Sequence, residues 1–146
     1  MSQLLHVNAS PRGEASQSAA LAATFLEAYR DRLPDTKVDT VNLFDDGLPA
    51  FGTVAAAVKL TVFSGQQPTG KQACAWEQAR AVPSRFDAAD KYLCNVPMWN
   101  AGVPYVLKQW IDIVTQPNWC FGFDRAAGYT GPGLQYRSAW AALRPE

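Results

Sequence analysis

The chain has 146 residues, and its 13 Lys and Arg balance 13 Asp and Glu, so the formal net charge is +0. This balance argues against the broad electrostatic grip on DNA or RNA that a basic excess would provide. Hydrophobic residues make up 48% of the chain, which is enough for a core, yet no apolar run approaches the ~20 residues of a membrane span. We therefore expect one folded domain, residues 1–146, with no nucleic-acid and no membrane partner.

The cysteines Cys74, Cys94 and Cys120 are widely spaced and form no CxxC pair. This pattern disfavours both a disulfide framework and a zinc site, so we assign no metal ligand. The N-terminus shows no basic region followed by a long apolar stretch, as a secretion signal would. Together these features predict a protein of the reducing cytoplasm.

The first predicted elements are a strand and a helix joined by a polar loop. The strand, Leu4–Asn8, is short, mostly apolar and followed by turn formers, which favours a buried strand. After the loop Ser10–Ser18 we predict a helix over Ser18–Leu33, capped by Ser16 or Ser18 and stopped by a proline. Apolar residues of this helix form one stripe, namely Leu21, Phe25, Tyr29 and Leu33 with Leu26 beside them.

Two more strands are predicted on either side of a stretch with few signals. The second strand is Lys37–Phe44 and the third is Lys91–Val96. Between them, the sequence predicts a short helix around Val54–Val58 in a long loop, and then a helix over Lys71–Arg80. Pro83 predicts a kink or an early end of that helix, because proline removes a helical hydrogen bond.

The last clearly patterned element is a helix that begins near Pro104 and ends at Pro117. Asn118–Gly133 is rich in glycine and aromatic residues and predicts a surface loop, while Leu134–Glu146 has room for one short strand or helix around residues 139–143. Strands that alternate with helices imply an α/β fold with a parallel sheet and right-handed crossovers.

The loop between the first strand and the first helix predicts a phosphate site. Ligands of open α/β sheets bind beyond the carboxyl ends of the strands, and a helix N-terminus offers unpaired N–H groups and partial positive charge. The hydroxyls of Ser16 and Ser18 add donors without adding charge. The alternative is that both serines are ordinary caps in a solvated loop, since no GxGxxG or Walker motif is present.

A second candidate segment lies between the third strand and the next helix. Met98 and Trp99 offer polarizable and planar surface to an aromatic ring, and Asn100 carries both a donor and an acceptor. The alternative is that Met98 and Trp99 are core residues. If the first and third strands are neighbours, this segment lies beside the loop Ser10–Ser18.

These segments carry a resemblance to a known family. The chain resembles the FMN-dependent NADH-azoreductases, a flavodoxin-like group related to the NAD(P)H quinone reductases. The residues that carry the resemblance are Ser10, the run Ser16-Gln17-Ser18, VPMWNAGVPYVLKQWIDIVTQP from Val96 to Pro117, and FGFDRAAGYTGPGL from Phe121 to Leu134.

The resemblance implies a flavodoxin-like doubly wound parallel sheet and an FMN site. It implies that Ser10, Ser16, Gln17 and Ser18 hold the FMN phosphate, and that Met98, Trp99, Asn100 and Ala101 line the isoalloxazine ring. It also implies a homodimer and two-electron ping-pong transfer from NADH or NADPH to a quinone or azo compound. The family commonly has Phe where this chain has Ala101, so some contact with the ring is lost.

The C-terminal part of the chain departs from the family pattern. The family continues with a fourth strand, a glycine-rich loop that contacts the flavin, and further elements, whereas residues 135–146 do not show that pattern. We therefore expect an incomplete sheet of three to four strands in a truncated or altered chain. Two alternatives to the enzyme follow, namely a non-catalytic flavin-phosphate-binding remnant or module and, less favoured, a one-electron flavodoxin-type carrier.

No catalytic side chain is predicted, because the flavin would supply the redox chemistry and the protein would position it. His6 lies within the first predicted strand, where a buried structural histidine is favoured over a proton donor.

Overall fold

The computed structural model describes residues 2–124, 126 and 128–130 of the chain. In chain order, the described elements are β1 (Gln3–Asn8), α1 (Gln17–Arg32), β2 (Lys37–Asn42), α2 (Thr53–Phe63), α3 (Lys71–Asp87), β3 (Lys91–Asn95), α4 (Tyr105–Val114), β4 (Gly122–Asp124) and β5 (Gly128–Thr130). A single 3-10 turn, Gly13–Ala15, precedes α1 within these residues. The described helices include none that is both long and apolar enough to cross a membrane.

The central feature is a parallel sheet with strand order β2-β1-β3 among the described residues. Asn8, the last residue of β1, lies in register with Asn42 of β2 and with Asn95 of β3. All of these strands therefore end at one edge of the sheet. The predicted parallel α/β sheet is confirmed, and so is the condition that the first and third strands are neighbours.

Contacts divide the chain into two compact units. In the described part of the chain, the first unit contains residues 2–47 and 88–108, and the second contains residues 48–87, 109–124, 126 and 128–130. The first unit therefore contains the parallel sheet and α1, and the second contains α2, α3 and the hairpin β4-β5. The prediction of one domain stays a prediction.

The helix α1 packs with a different face from the one predicted. Ala22 and Leu26 are its buried residues, whereas Leu21 is 73% exposed and Phe25 47% exposed. The predicted stripe was wrong, because of its residues only Leu26 is buried. A row of residues four apart drifts around a helix of 3.6 residues per turn, and the small Ala22 occupies the inward position beside Leu26.

Pro83 lies inside a helix rather than ending one. The helix α3 continues to Asp87, so the predicted early end at Pro83 was wrong. Trp76, Ala79 and Pro83 are buried along one face at helical spacing. Burial of this face compensates for the hydrogen bond that proline cannot make. In the same unit, Trp76 joins Val58 and Val62 of α2 in a buried cluster.

Other elements also differ from the prediction. The strand β2 ends at Asn42 rather than Phe44, although Leu43 still donates its N–H to Asn8 O at 2.9 Å. The helix α2 has 11 residues, more than predicted for the stretch before α3. The segment after Pro117 contains the antiparallel pair β4-β5 instead of loop alone. The element predicted around residues 139–143 lies outside the described residues.

Candidate functional site

A row of asparagine side chains crosses the carboxyl edge of the sheet. This asparagine row consists of Asn42, Asn8 and Asn95, which lie in register on neighbouring strands. Asn8 Nδ2 donates to Asn42 Oδ1 at 2.9 Å, and Asn95 Nδ2 donates to Asn8 Oδ1 at 2.7 Å. Because residues in parallel register share a face, the amides form one continuous polar line at the base of the loops that follow the strands.

His6 lies two residues before Asn8 and on the same face of β1. It is 9% exposed, in agreement with the prediction of a buried histidine. Its Nε2 lies 2.7 Å from Asn95 Oδ1, and its Nδ1 lies 3.4 Å from Thr40 Oγ1. An amide oxygen only accepts, so Nε2 carries the hydrogen of the shorter contact.

The loop Ser10–Ser18, here called the serine loop, ends in a capped helix. Ser16 is 4% exposed, and its Oγ accepts a hydrogen bond from Ala19 N at 3.1 Å, so Ser16 is the N-cap of α1. The hydroxyls of Ser16 and Ser18 lie 3.2 Å apart. In the first turn, the N–H groups of Gln17 and Ser18 have no acceptor within the helix. These groups form a cluster of donors at the positive end of α1.

Ser10 and Gln17 take different positions in the serine loop. Ser10 is buried, its N–H donates to Asn8 Oδ1 at 3.1 Å, and its Oγ accepts from Arg12 N at 3.4 Å. Gln17 is exposed at the first position of α1. Gly13 has a φ of +49°, a left-handed conformation that glycine adopts without strain. The loop therefore turns sharply before it enters the helix.

The segment after β3 forms a tight turn, here called the Met98–Ala101 turn. Trp99 and Gly102 exchange two backbone hydrogen bonds of 2.9 and 2.8 Å. The central residues, Asn100 and Ala101, have φ values of +48° and +60°. Positive φ at both central positions is the geometry of a type I′ turn, which asparagine tolerates and alanine does not favour. The turn holds Asn100 and Ala101 exposed to solvent.

Aromatic contacts hold Trp99 but leave Met98 free of the core. The Trp99 ring lies 5.6 Å from that of Phe44, which also meets Tyr105 edge to face at 5.9 Å. Trp99 is half-buried, so the structure leaves part of its surface for a ligand. Met98 is 82% exposed, which excludes the alternative that it is a core residue.

One contact joins β3 directly to the serine loop. Asn95 Nδ2 lies 3.5 Å from Ser18 Oγ, so the last residue of β3 contacts the first turn of α1. The neighbouring Cys94 keeps an exposed surface, and partial burial of its thiol raises the pKa of that group. A raised pKa leaves less of the nucleophilic thiolate at neutral pH.

Comparison with known proteins identifies the family. A model of the flavodoxin-like fold matches residues 2–143. The chain belongs to this family. It is 44% identical over 131 residues to the FMN-dependent NADH:quinone oxidoreductase of Ruegeria pomeroyi, covering 90% of this chain and 64% of the relative. It is 39% identical to the protein of the same name from Desulfotalea psychrophila, covering 90% of this chain and 62% of the relative.

A solved structure has the same fold as this chain over most of its length. The azoreductase from Bacillus anthracis superposes with a TM-score of 0.77 at 28% identity, covering 90% of this chain and 63% of that one. The flavodoxin-like fold predicted from the sequence is thereby confirmed. The chain spans slightly less than two thirds of the length of these relatives.

The asparagine row is the part of the candidate site that sequence reasoning missed. The signal in the sequence was that each of the strands β1, β2 and β3 ends in asparagine, at Asn8, Asn42 and Asn95. Phe44 was also missed, because it was assigned to the strand rather than to a contact with Trp99.

Proposed function

We propose that this protein binds FMN at the carboxyl edge of its sheet and acts as an FMN-dependent NADH oxidoreductase on quinones and azo compounds. The observation that carries the proposal is that the serine loop and the Met98–Ala101 turn follow adjacent parallel strands, β1 and β3, at the same edge. The names of the relatives and of the solved azoreductase support the same activity.

The serine loop fits the phosphate of FMN. Ser16 and Ser18 place two hydroxyls 3.2 Å apart beside the unpaired N–H groups of the first turn of α1. A phosphate bound there gains charge-assisted hydrogen bonds and the favourable end of the helix dipole. Ser10 and Gln17 complete the predicted set, Ser10 as a buried residue at the start of the loop and Gln17 as the first residue of the helix.

The Met98–Ala101 turn fits the flavin ring. Met98 presents its exposed apolar side chain, and Trp99 is oriented by Phe44. Asn100 and Ala101 are exposed in this left-handed turn, and the Asn100 side chain can pair with the polar edge of a heterocycle. Binding here would exclude water from one side of the ring and fix its orientation.

When bound, FMN supplies two-electron chemistry between the nicotinamide donor and the quinone or azo acceptor. The side chains of this protein are therefore required to bind and orient, and a catalytic acid–base pair is not needed. We assign NADH rather than NADPH as the donor, following the names of the relatives. In this proposal the protein is cytoplasmic, as its cysteine pattern predicts. It is also a homodimer, as the family resemblance implies, and sedimentation of the purified chain tests the dimer.

A second candidate is a flavin-phosphate-binding module without turnover. The observation that favours it is Ala101, whose short exposed side chain stands where the resembling family commonly has Phe. This candidate keeps the serine loop and loses part of the contact with the ring.

A flavin reconstitution titration tests the proposal. Adding FMN to the purified protein is expected to quench flavin fluorescence to a one-to-one end point and to give a yellow protein. NADH should then bleach the flavin absorbance, and a quinone should restore it. Binding without bleaching would favour the non-catalytic module, and protein that does not bind FMN would contradict both.

A further inference from the structure

The hydrogen bonds at the asparagine row have a fixed direction. Ser10 N is a backbone donor and lies 3.1 Å from the Asn8 side chain, so the atom of Asn8 that faces it is the acceptor Oδ1. The same Oδ1 lies 2.7 Å from the Asn95 amide, which must therefore present its NH2 group. A single backbone N–H thus sets the orientation of two side-chain amides.

The hydrogen bond between Asn95 and His6 has a fixed direction as well. Because Asn95 turns its NH2 group toward Asn8, its Oδ1 faces the imidazole at 2.7 Å. His6 Nε2 therefore donates, and the bond is buried, with Asn95 5% exposed. Loss of this donor would leave a buried amide oxygen without its partner, which favours a reorientation of Asn95.

The orientation of the Asn95 amide determines whether Ser18 Oγ accepts a hydrogen bond from Asn95 or donates one to it. The Asn95 NH2 group has two hydrogens, one directed to Asn8 and the other toward Ser18 Oγ at 3.5 Å. When Ser18 accepts from Asn95, its own hydroxyl hydrogen remains available for another acceptor. Ser16 Oγ, 3.2 Å away, is one such acceptor, and it can equally donate to Ser18. A bound phosphate oxygen would be a stronger acceptor.

We propose that His6 is a positioning residue of the FMN phosphate site, acting through Asn95 to make Ser18 a hydrogen-bond donor to the phosphate. This inference rests on the proposed function. It changes the assignment of the histidine from a purely structural residue to one that selects for the phosphate end of the cofactor. His6 itself does not contact the phosphate in this arrangement.

The test compares FMN with riboflavin, which lacks the phosphate. His6→Phe keeps a planar ring but removes the donor, and we expect it to weaken FMN binding about tenfold. Its riboflavin affinity should change less than about twofold, because the ring contacts at the Met98–Ala101 turn are unaffected. His6→Gln supplies an amide donor and should restore most of the FMN affinity. Tyr92→Phe is the matched control, since it removes one hydroxyl hydrogen bond, to Ala89 O at 2.9 Å, from the same sheet.

A double-mutant cycle with Ser18→Ala tests the route through Asn95. If His6 acts through the serine hydroxyl, His6→Phe should weaken FMN binding less than twofold further once Ser18 is alanine. Should His6→Phe fail to fold, Asn95→Ala replaces it in the same cycle, with the same expectation.

The possible failures are distinguishable. Wild-type protein that does not bind FMN overturns the proposed function and this inference with it. Wild-type binding with equal FMN affinity in His6→Phe, or equal losses for FMN and riboflavin, overturns only the role of His6.

Discussion

The serine loop and the Met98–Ala101 turn follow neighbouring strands of one sheet, and the N-cap serine of the first differs sharply in burial from the methionine of the second. Ser16 is 4% exposed and hydrogen-bonded to its own helix, whereas Met98 is 82% exposed. The serine loop is continuous with the asparagine row through the 3.5 Å contact of Ser18 with Asn95. The Met98–Ala101 turn is held instead by its own backbone bonds and by the aromatic contact of Trp99.

The difference follows from the two chemical tasks proposed for this edge. A phosphate requires donors whose direction is fixed before the ligand arrives, because reorganising buried polar groups is costly. A flavin ring requires exposed apolar and planar surface that loses water only when the ligand binds. One edge of the sheet therefore combines a preorganised polar region with an exposed apolar one.

The largest expected effect comes from removing both hydroxyls of the serine loop. Ser16→Ala with Ser18→Ala should weaken FMN binding by about 1–3 kcal/mol, because charge-assisted hydrogen bonds are lost. Riboflavin affinity should hardly change, since riboflavin has no phosphate. Flavin fluorescence titration measures both affinities. Thr24→Ala is the matched control, because it removes a hydroxyl bonded to Ala20 O, at 3.1 Å, on the same helix. Unchanged FMN affinity in the double variant would contradict the assignment of these serines to the phosphate.

A smaller loss of flavin affinity, which does not depend on the phosphate, is expected when Met98 is replaced. Met98→Ala should weaken FMN and riboflavin binding equally, by about 1 kcal/mol, because it removes apolar surface that only the ring would cover. The free energy of unfolding should change by less than about 0.5 kcal/mol, as expected for an exposed side chain. Urea denaturation and the two titrations check this, and a loss confined to FMN would show that Met98 does not face the ring.

The smallest expected effect is on the free energy of unfolding. Ala101→Gly should raise the free energy of unfolding by about 0.5–1 kcal/mol, because it relieves the left-handed strain of alanine at φ +60° by more than the added unfolded-state entropy costs. Urea denaturation measures the change. Ala23→Gly, at an exposed position in the middle of α1, should have the opposite sign. Equal destabilisation by both substitutions would contradict the strained turn.

The sequence predicted the parallel sheet because its predicted strands alternate with helices. It predicted the serine loop because Ser16 stands where a helix begins, and the structure shows Ser16 as the cap. The inward face of α1 was not predictable from spacing alone, because Ala22 is buried while the larger Leu21 is exposed. Tertiary packing, rather than side-chain size, decided which face turned inward.

Two features depended on contacts between residues distant in the chain. The asparagine row joins residues separated by 34 and 87 positions, and only the strand register brings them together. On local grounds Pro83 predicted a kink or an early end of α3. Its burial with Trp76 and Ala79 overrode the early end. The roles assigned to the candidate FMN residues remain predictions, which the titrations above test.

The tryptophan pair of the second unit has a spectroscopic consequence. Trp76 and Trp119 stack with ring centroids 4.1 Å apart and an interplanar angle of 30°. Two indoles at this separation couple their electronic transitions, so circular dichroism should show paired bands of opposite sign. Trp99 lies in the first unit. Loss of the paired bands would therefore report on the unfolding of the second unit, without any dye or label.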